Sequence, residues 1–488
     1  MSGGRNARQR GLTMLHNLKP YPAYKDSGVP WLGEVPEHWD VKRNKLFMRE
    51  INERSEDGSE ELLTVSQYTG VTARRERISE ENGLLTNAAS LVGYKRVNPG
   101  DLVMNIMLAW NGSLGVSPIA GIASPAYCVY RVTEKIEPRF LHYLFRTPLF
   151  TGVFKAVSTG VVDSRLRLYP EVFFRLISIL PPKEEQSAII HYLDYIARRI
   201  RRYIRAKQKL IKLLEEKKQA IIHQAVTRGL DPNVKLKPSG VEWLGDVPEH
   251  WEVRKLKFEV TFTGGGTPSK ANAEFWTGDI PWVSPKDMKT SVIRDTEDHI
   301  STSAVAESAT KLIDPGAVLV VVRSGILRRK IPVAINNVSV AINQDMKALG
   351  SKGRLHNEYI FALIEGCQKI LLTEWTKQGA TVESIEHELM ANSFIPIPPK
   401  NEQLAIVHFL NKANKNIDSV IAKTHQEISL LREYRTRLIA DVVTGKLDVR
   451  EAAANLPEET DETEALDEEL AEDEETTEEE IDCEIEEE

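Results

Sequence analysis

Two stretches of the chain place apolar residues at alternating spacings of three and four. The first runs from Pro181 to about Thr227, opens PPKEEQSAIIHYL and holds no further Gly or Pro. Its residues Ile189, Leu193, Ile196, Ile200, Tyr203, Leu210, Leu214 and Ile221 predict a coiled-coil seam along one helix face. The second, Pro398 to about Thr444, opens PPKNEQLAIVHFL, with every position displaced by 217 residues. There Ile406, Leu410, Ala413, Ile417, Val420, Leu431, Tyr434 and Leu438 fill the matching places. At a rise of ~1.5 Å per residue each helix is on the order of 65 Å long, too long to bury inside a small domain. A helix with one apolar stripe needs a partner for it, so the two are expected to pair. Polar residues interrupt the seam at Lys207 and Lys217 and at Thr424 and Glu427, where they fix register. In this register Ile204, Ile211, Ile421 and Ile428 fall on the outer faces, there to meet a partner protein or to complete the seam.

The repeat extends beyond the helices. SGVPWLGEVPEHWDV (Ser27 to Val41) recurs as SGVEWLGDVPEHWEV (Ser239 to Val253), matching Trp31, Pro36, His38 and Trp39 with Trp243, Pro248, His250 and Trp251. Both helices close alike, on VTRGLD at Val226 to Asp231 and VTGKLD at Val443 to Asp448. The chain is therefore two copies of one plan. No second His stands at metal-ligand spacing from His38 or His250, so the Trp-rich opening segment is expected to anchor each copy against the helices through its aromatic area.

Between opening segment and helix lie two blocks of mixed α/β pattern that share little sequence. Block one carries strand-like runs at Leu62 to Val65, Leu102 to Ile106 and Tyr127 to Val132, and block two at Ile280 to Val283, Ala317 to Val322 and Val338 to Ile342. NPGDLVM (Asn98 to Met104) and DPGAVLV (Asp314 to Val320) read as a turn feeding a buried strand, and short helices are expected at Arg139 to Phe145 and Asn357 to Ile364. The resulting organisation is a flexible basic lead-in (1–25), a globular domain (26–180), a long helix (181–230), a second domain (238–397), a second long helix (398–448) and a disordered acidic tail (457–488).

Charge changes this picture in one respect. The formal net charge of −8 is set by the tail, which holds 20 acidic residues and no Lys or Arg. Taking those 20 from the 71 acidic residues leaves 51 against 63 Lys and Arg, so the body is net +12, as a polyanion-binding surface requires. The tail reads either as a solubilising segment or as a nucleic-acid mimic that occupies a basic cleft. With 488 residues, about three units are expected. No apolar run is long enough to span a bilayer, the N-terminus lacks a signal-peptide core, and Cys128, Cys367 and Cys483 form no metal or disulfide spacing, so a cytoplasmic setting is expected.

No catalytic constellation stands out. GGGTPSK at Gly264 to Lys270 has the wrong spacing for a phosphate cradle, and there is no HExxH, paired CxxC or GxSxG. Polar, cationic and aromatic residues instead cluster in a way suited to nucleic acid: Gln67, Tyr68, Arg74, Arg75, Arg77, Lys95, Arg96, Asn105, Trp110 and Asn111 in block one. Block two offers Thr267, Ser269, Lys270, Trp282, Ser284, Lys286, Arg323, Ser324, Arg328, Arg329 and Lys330. Arg reads guanine and Asn or Gln reads adenine by paired hydrogen bonds, while Lys and Ser hold phosphates.

The doubled VPEHW, the PPKEEQSAI and PPKNEQLAI helix starts, the VTRGLD and VTGKLD ends, and GGGTPSKANAEFWTGDIPWVSPKDM (Gly264 to Met288) together resemble the specificity (S) subunits of type I restriction-modification systems. The resemblance spans roughly Tyr21 to Val449 and leaves the acidic tail and the lead-in unaccounted for. It implies two target recognition domains held apart by an antiparallel pair of long coiled-coil helices, each domain reading one half of a bipartite double-stranded DNA target. It further implies docking of two methyltransferase (M) subunits and two restriction motor-nuclease (R) subunits. S-adenosylmethionine, ATP and Mg belong to those partners; this chain has no active site, cofactor or metal of its own. Two readings from other classes stand beside it. A nuclease or methyltransferase with an unrecognised site would bind S-adenosylmethionine or cut DNA alone, and a protein-binding scaffold would show no salt-dependent preference for a particular duplex.

Overall fold

The computed structural model describes residues 18–67, 69–73, 90–133, 135–162, 165–376 and 384–457. Two compact units emerge, one holding residues up to 206 and from 427 onward, the other 207–426. Both long helices form, Lys183–Arg228 with 46 residues and Lys400–Val443 with 44. The early part of the first and the late part of the second belong to the first unit, and the remaining parts to the second. Within the second unit Ile222, Ala225 and Val226 share a core with Ile406 and Leu410, and Lys218 Nζ lies 2.8 Å from Asp418. Late residues of one helix thus meet early residues of the other, an antiparallel pairing. Within the first unit Tyr192, early in its helix, interacts with Tyr434, late in the other.

The seam departs from a heptad at one step. Ile189, Leu193, Ile196 and Ile200 are buried as expected, but the next buried residue is Ile204 (3% exposed) and not Tyr203 (38%). Ile211 is buried where Leu210 was expected; on the second helix Ile421 is half-buried and Ile428 buried, while Val420 is exposed. Two spacings of four in succession, 196–200–204 and 413–417–421, shift the stripe in both helices at positions 217 residues apart. Such a stutter locally unwinds the supercoil. The same shift moves Lys217 and Glu427 out to solvent and brings Thr424 in. Its hydroxyl donates to Val420 O (2.8 Å), so the buried polar group is satisfied within its own helix.

The opening segments meet the helix starts through one carboxylate each. Glu185, buried, accepts from Trp39 Nε1 (2.9 Å), Tyr21 Oη (2.6 Å) and His38 Nε2 (2.7 Å). Glu402, its equivalent 217 residues on, accepts from Trp251 Nε1 (2.9 Å) and His250 Nε2 (2.6 Å). The neighbouring glutamines complete the device. Gln186 donates to Pro181 O (2.7 Å) and accepts from Glu137 N (2.9 Å), ahead of the helix Pro138–Phe145. Gln403 does the same with Pro398 O (2.8 Å) and His356 N (2.8 Å), ahead of the helix Asn357–Gly366. The helix ends close on the same aromatic rings. Gly445 (φ +79°) leaves no room for a Cβ, which would stand 2.4 Å from Pro36 and 3.2 Å from Trp39, and Gly229 (φ +79°) lies against Trp251. Each buried tryptophan therefore packs between the start of one long helix and the end of the other.

In the first unit a four-stranded sheet runs in the order Met48–Ile51, Tyr127–Val132, Leu102–Asn105, Leu114–Val116. In the second, a five-stranded sheet (Val260–Gly264, Met346–Ser351, Val318–Val321, Val333–Asn336, Val292–Ile293) lies beside a four-stranded one around Ile280–Val283 and Val340–Ile342. Strands and helices thus form where the apolar runs were read, and Gly100 and Gly316, both at φ +89°, make the turns of NPGD and DPGA. The lead-in differs from expectation. Lys19 pairs with Asp448, Tyr21 is buried on Glu185 and Tyr24–Asp26 is a strand, so the segment from residue 18 is tied into the first unit. The acidic tail beyond 457 lies outside the described residues.

Candidate nucleic-acid interface

Block one gathers its loops around a buried guanidinium. Arg146, at the end of helix Pro138–Phe145, donates to Gln67 O (2.7 Å), Ser66 O (3.3 Å) and Leu114 O (3.1 Å), which fixes the tip of the Leu63–Ser66/Gly70–Ala73 hairpin against strand Leu114–Val116. Burial, aided by Arg435, lowers its pKa to about 10. Beside it the half-buried His142 has its pKa pushed down to about 3 by desolvation and then by Arg146 and Arg139; its neutral Nδ1 accepts from Val116 N (3.3 Å). The helix itself is pinned to the long helix by Arg139 (2.8 Å) and Tyr143 (2.5 Å), both on Asp194. These bonds hold Gln67 at the surface edge, half-buried. Trp110 and Asn111 follow on the adjoining loop, with Lys155 Nζ 4.9 Å from the Trp110 ring and Asn111 Oδ1 accepting from Ser113. Tyr68, Arg74, Arg75 and Arg77 lie outside the described residues.

Four of the residues singled out from sequence face inward. Lys95 is buried, with Nζ 3.6 Å from Glu50, and Asn105 is buried, its Oδ1 accepting from Met107 N (3.1 Å). Trp282 is buried, donating to Gly266 O (3.1 Å). Ser284 caps a short turn, its backbone N and its Oγ both bonded to Asp287 (2.8 Å). Strand alternation turned these side chains to the core, where the hydrogen bonds they make are internal ones. The glycines of GGGTPSK have a packing role: a Cβ on Gly265 would stand 2.0 Å from Ile342 O.

The remaining candidates are at the surface in two states. Arg96, Lys286 and Arg323 are each held by carboxylates: Arg96 on Glu60 (2.9 Å), Lys286 on Asp298 (3.0 Å) and Glu297 (3.1 Å), and Arg323 on Asp345 (2.6 Å). A phosphate at any of them has to displace an acid. Thr267, bonded to Gln344, Ser269, Lys270, Arg328, Arg329 and Lys330 are exposed, and Ser324 is half-exposed ahead of the turn Gly325–Arg328. The cavity lined by Trp276, Asp279, Glu297, Asp298 and His299 carries three carboxylates, the wrong sign for a phosphate.

The model for the Type I restriction modification DNA specificity domain matches residues 248–430, from the second VPEHW segment into the second long helix. The chain is 36% identical over 203 residues (41% of this chain, 47% of the relative) to the EcoR124I/EcoR124II specificity subunit of Escherichia coli. A MjaIX specificity subunit of Methanocaldococcus jannaschii is 29% identical over 34% of this chain and 39% of its own. The matched stretches thus span less than half of these two relatives. A putative MjaX specificity subunit of the same organism aligns at 23% identity over 86% of this chain and 96% of its own. The fold is that of a solved chain from a study of assembly and conformational transition in the type I R-M system (TM-score 0.64, 18% identity, 85% of this chain and 99% of that one). Residues 248–430 thus match a type I restriction modification DNA specificity domain, and the chain as a whole is similar in sequence and fold to type I specificity subunits.

Sequence reading passed over one basic element. The segment RLRLY at residues 165–169 alternates Arg165 out, Leu166 in, Arg167 out, Leu168 in and Tyr169 out. That period of two was its signal, but five residues between a helix and a Pro are too short a run to stand out. No helix among the described residues is long and apolar enough to cross a membrane.

Proposed function

We propose that this chain reads double-stranded DNA, each block recognising one half of a bipartite target, while the long helices set the unread gap and dock the methyltransferase subunits. Catalysis then lies with the partners: the methyltransferase subunits hold S-adenosylmethionine, the motor-nuclease subunits ATP and Mg, and this chain supplies the address. The observation that carries the reading is a repeated frame with exchanged loops. Glu185 and Glu402 hold the same Trp-His pair at a spacing of 217 residues. After the equivalent buried strands, however, block one presents IMLAWNG (106–112) and block two VRSGILRRK (322–330). Identical supports with different surface chemistry are what two reading heads of different specificity need. The candidates at the surface are Gln67, Trp110 and Asn111 in block one and Thr267, Ser269, Lys270 and the 323–330 loop in block two. The test is selection from a pool of random duplexes by the full chain co-purified with its methyltransferase subunit. Two short fixed sequences separated by a constant unread gap are expected; a contiguous sequence, or no enrichment, overturns the proposal.

A further inference from the structure

Residues 165–168 lie back against 159–162 beside the loop that carries Trp110. Thr159 and Arg167 exchange both backbone hydrogen bonds (3.0 Å each), and Leu168 N donates to Ile106 O (2.9 Å). Leu166 and Leu168 are buried beneath, whereas Arg165 and Arg167 stand in solvent on the opposite face, two strand positions apart. The tip bears Val161, 98% exposed, and Val162. Among the described residues no carboxylate pairs with either guanidinium, in contrast to Arg96, Lys286 and Arg323. The ribbon thus carries two exposed cations, two positions apart, that meet no carboxylate among the described residues.

The second copy shows that the fold does not require those charges. There Ile385, 217 residues after Leu168, donates to Val322 O (2.8 Å) and pairs with Thr376, the counterpart of Thr159, one position on from the first copy's register, while Ser384 pairs with Arg323. At the place of Arg167 stands Ser384. The frame is therefore held by backbone bonds and the buried Leu or Ile, and the arginines are an addition peculiar to block one.

Resting on the DNA-reading function above, we infer that the ribbon formed by 159–162 and 165–168 is a DNA-contacting element of block one, with Arg165 and Arg167 bound to backbone phosphates of the duplex. Two exposed cations on one backbone-bonded ribbon, next to the half-buried Trp110 and the exposed Lys155, match the phosphate contacts that set a protein's register on DNA without reading its bases. The test uses the full chain, co-purified with its methyltransferase subunit, and the duplex it selects, with Kd followed from low to high salt. Each phosphate contact contributes a slope of ~0.9 in log Kd against log salt. The Arg165→Gln/Arg167→Gln pair is expected to lower the slope by about 1.8 and to weaken selected and unrelated duplexes alike. The selected sequence stays the same, and the Arg165→Lys/Arg167→Lys pair keeps the slope. A Gln pair with wild-type slope and affinity overturns the ribbon, and so does an altered first half-site, which would make these residues base readers. Wild-type protein without salt-dependent duplex preference overturns the DNA-reading function itself.

Discussion

At the scale of single residues the molecule is held by carboxylates that each satisfy several donors. Glu185 accepts from Trp39, Tyr21 and His38 in a buried site, whereas Glu402 accepts from Trp251 and His250 in a more open one. Removing the first acceptor strands two buried donors, a loss on the order of 3 kcal/mol. Urea unfolding is therefore expected to show Glu185→Ala more destabilising than Glu402→Ala; equal losses would mean that Tyr21 adds nothing. His142 predicts a pH dependence. Its folded pKa of about 3 lies below the unfolded value near 6.5, so the unfolded chain takes up the proton first. The stability tied to neutral His142 is complete above about pH 6.5 and declines by up to ~1.4 kcal/mol per pH unit below it, until the folded pKa is reached. Between pH 6.5 and 5, His142→Gln is expected to show a shallower fall in stability than the wild type; parallel curves would contradict it. The Trp-His opening was legible in sequence as an anchor because a doubled aromatic motif without metal spacing has few other uses. The inward turn of Lys95, Asn105, Trp282 and Ser284 was not, because residue type does not reveal which face of a strand a side chain takes, and each of these polar groups finds a partner within the fold.

At the scale of elements the two long helices were legible almost to the residue, since spacing, length and the absence of Gly and Pro all agreed. Their seam was legible as far as Ile200 and Ile417 and again at Leu214, Ile221, Leu431, Tyr434 and Leu438, which are half-buried or buried as expected. Just beyond Ile200 and Ile417, Tyr203 and Val420 continued a heptad that the helices abandon, and a single stutter is invisible when apolar residues stand at both the third and the fourth position. Substitution separates the registers. Ile204→Ala is expected to cost about 2–4 kcal/mol, whereas Tyr203→Ala costs well under 1. Thermal unfolding of the two variants checks this, and a larger loss at Tyr203 would restore the heptad. The helices also bear on the proposed gap. One added helical turn near Lys207, ~6 Å, is expected to lengthen the gap by one or two base pairs with both half-sites unchanged. A gap of the original length would remove the helices from that role.

At the scale of the whole molecule, the 217-residue repeat is the feature from which everything else follows. The frame repeats because the antiparallel helices and their anchors are the same physical problem solved twice, and the blocks diverge because their loops are not needed for that solution. Their strands were legible as apolar runs; which bases the loops would prefer under the proposed function was not, since that depends on hydrogen-bond geometry at atomic distances. Independent blocks predict modular specificity. Replacing block two, Arg254 to Ile397, with that of another specificity subunit is expected to change one half-site in a selection experiment, and changes in both halves would show that the blocks are coupled. The most direct measurement is made in a cell without other DNA methylation, by expressing this chain with its candidate methyltransferase subunit and mapping modified adenines by single-molecule sequencing. The account predicts modification at one split motif, two short fixed sequences around an unread gap of constant length. Modification at a contiguous motif, or none from a stable complex, would contradict it.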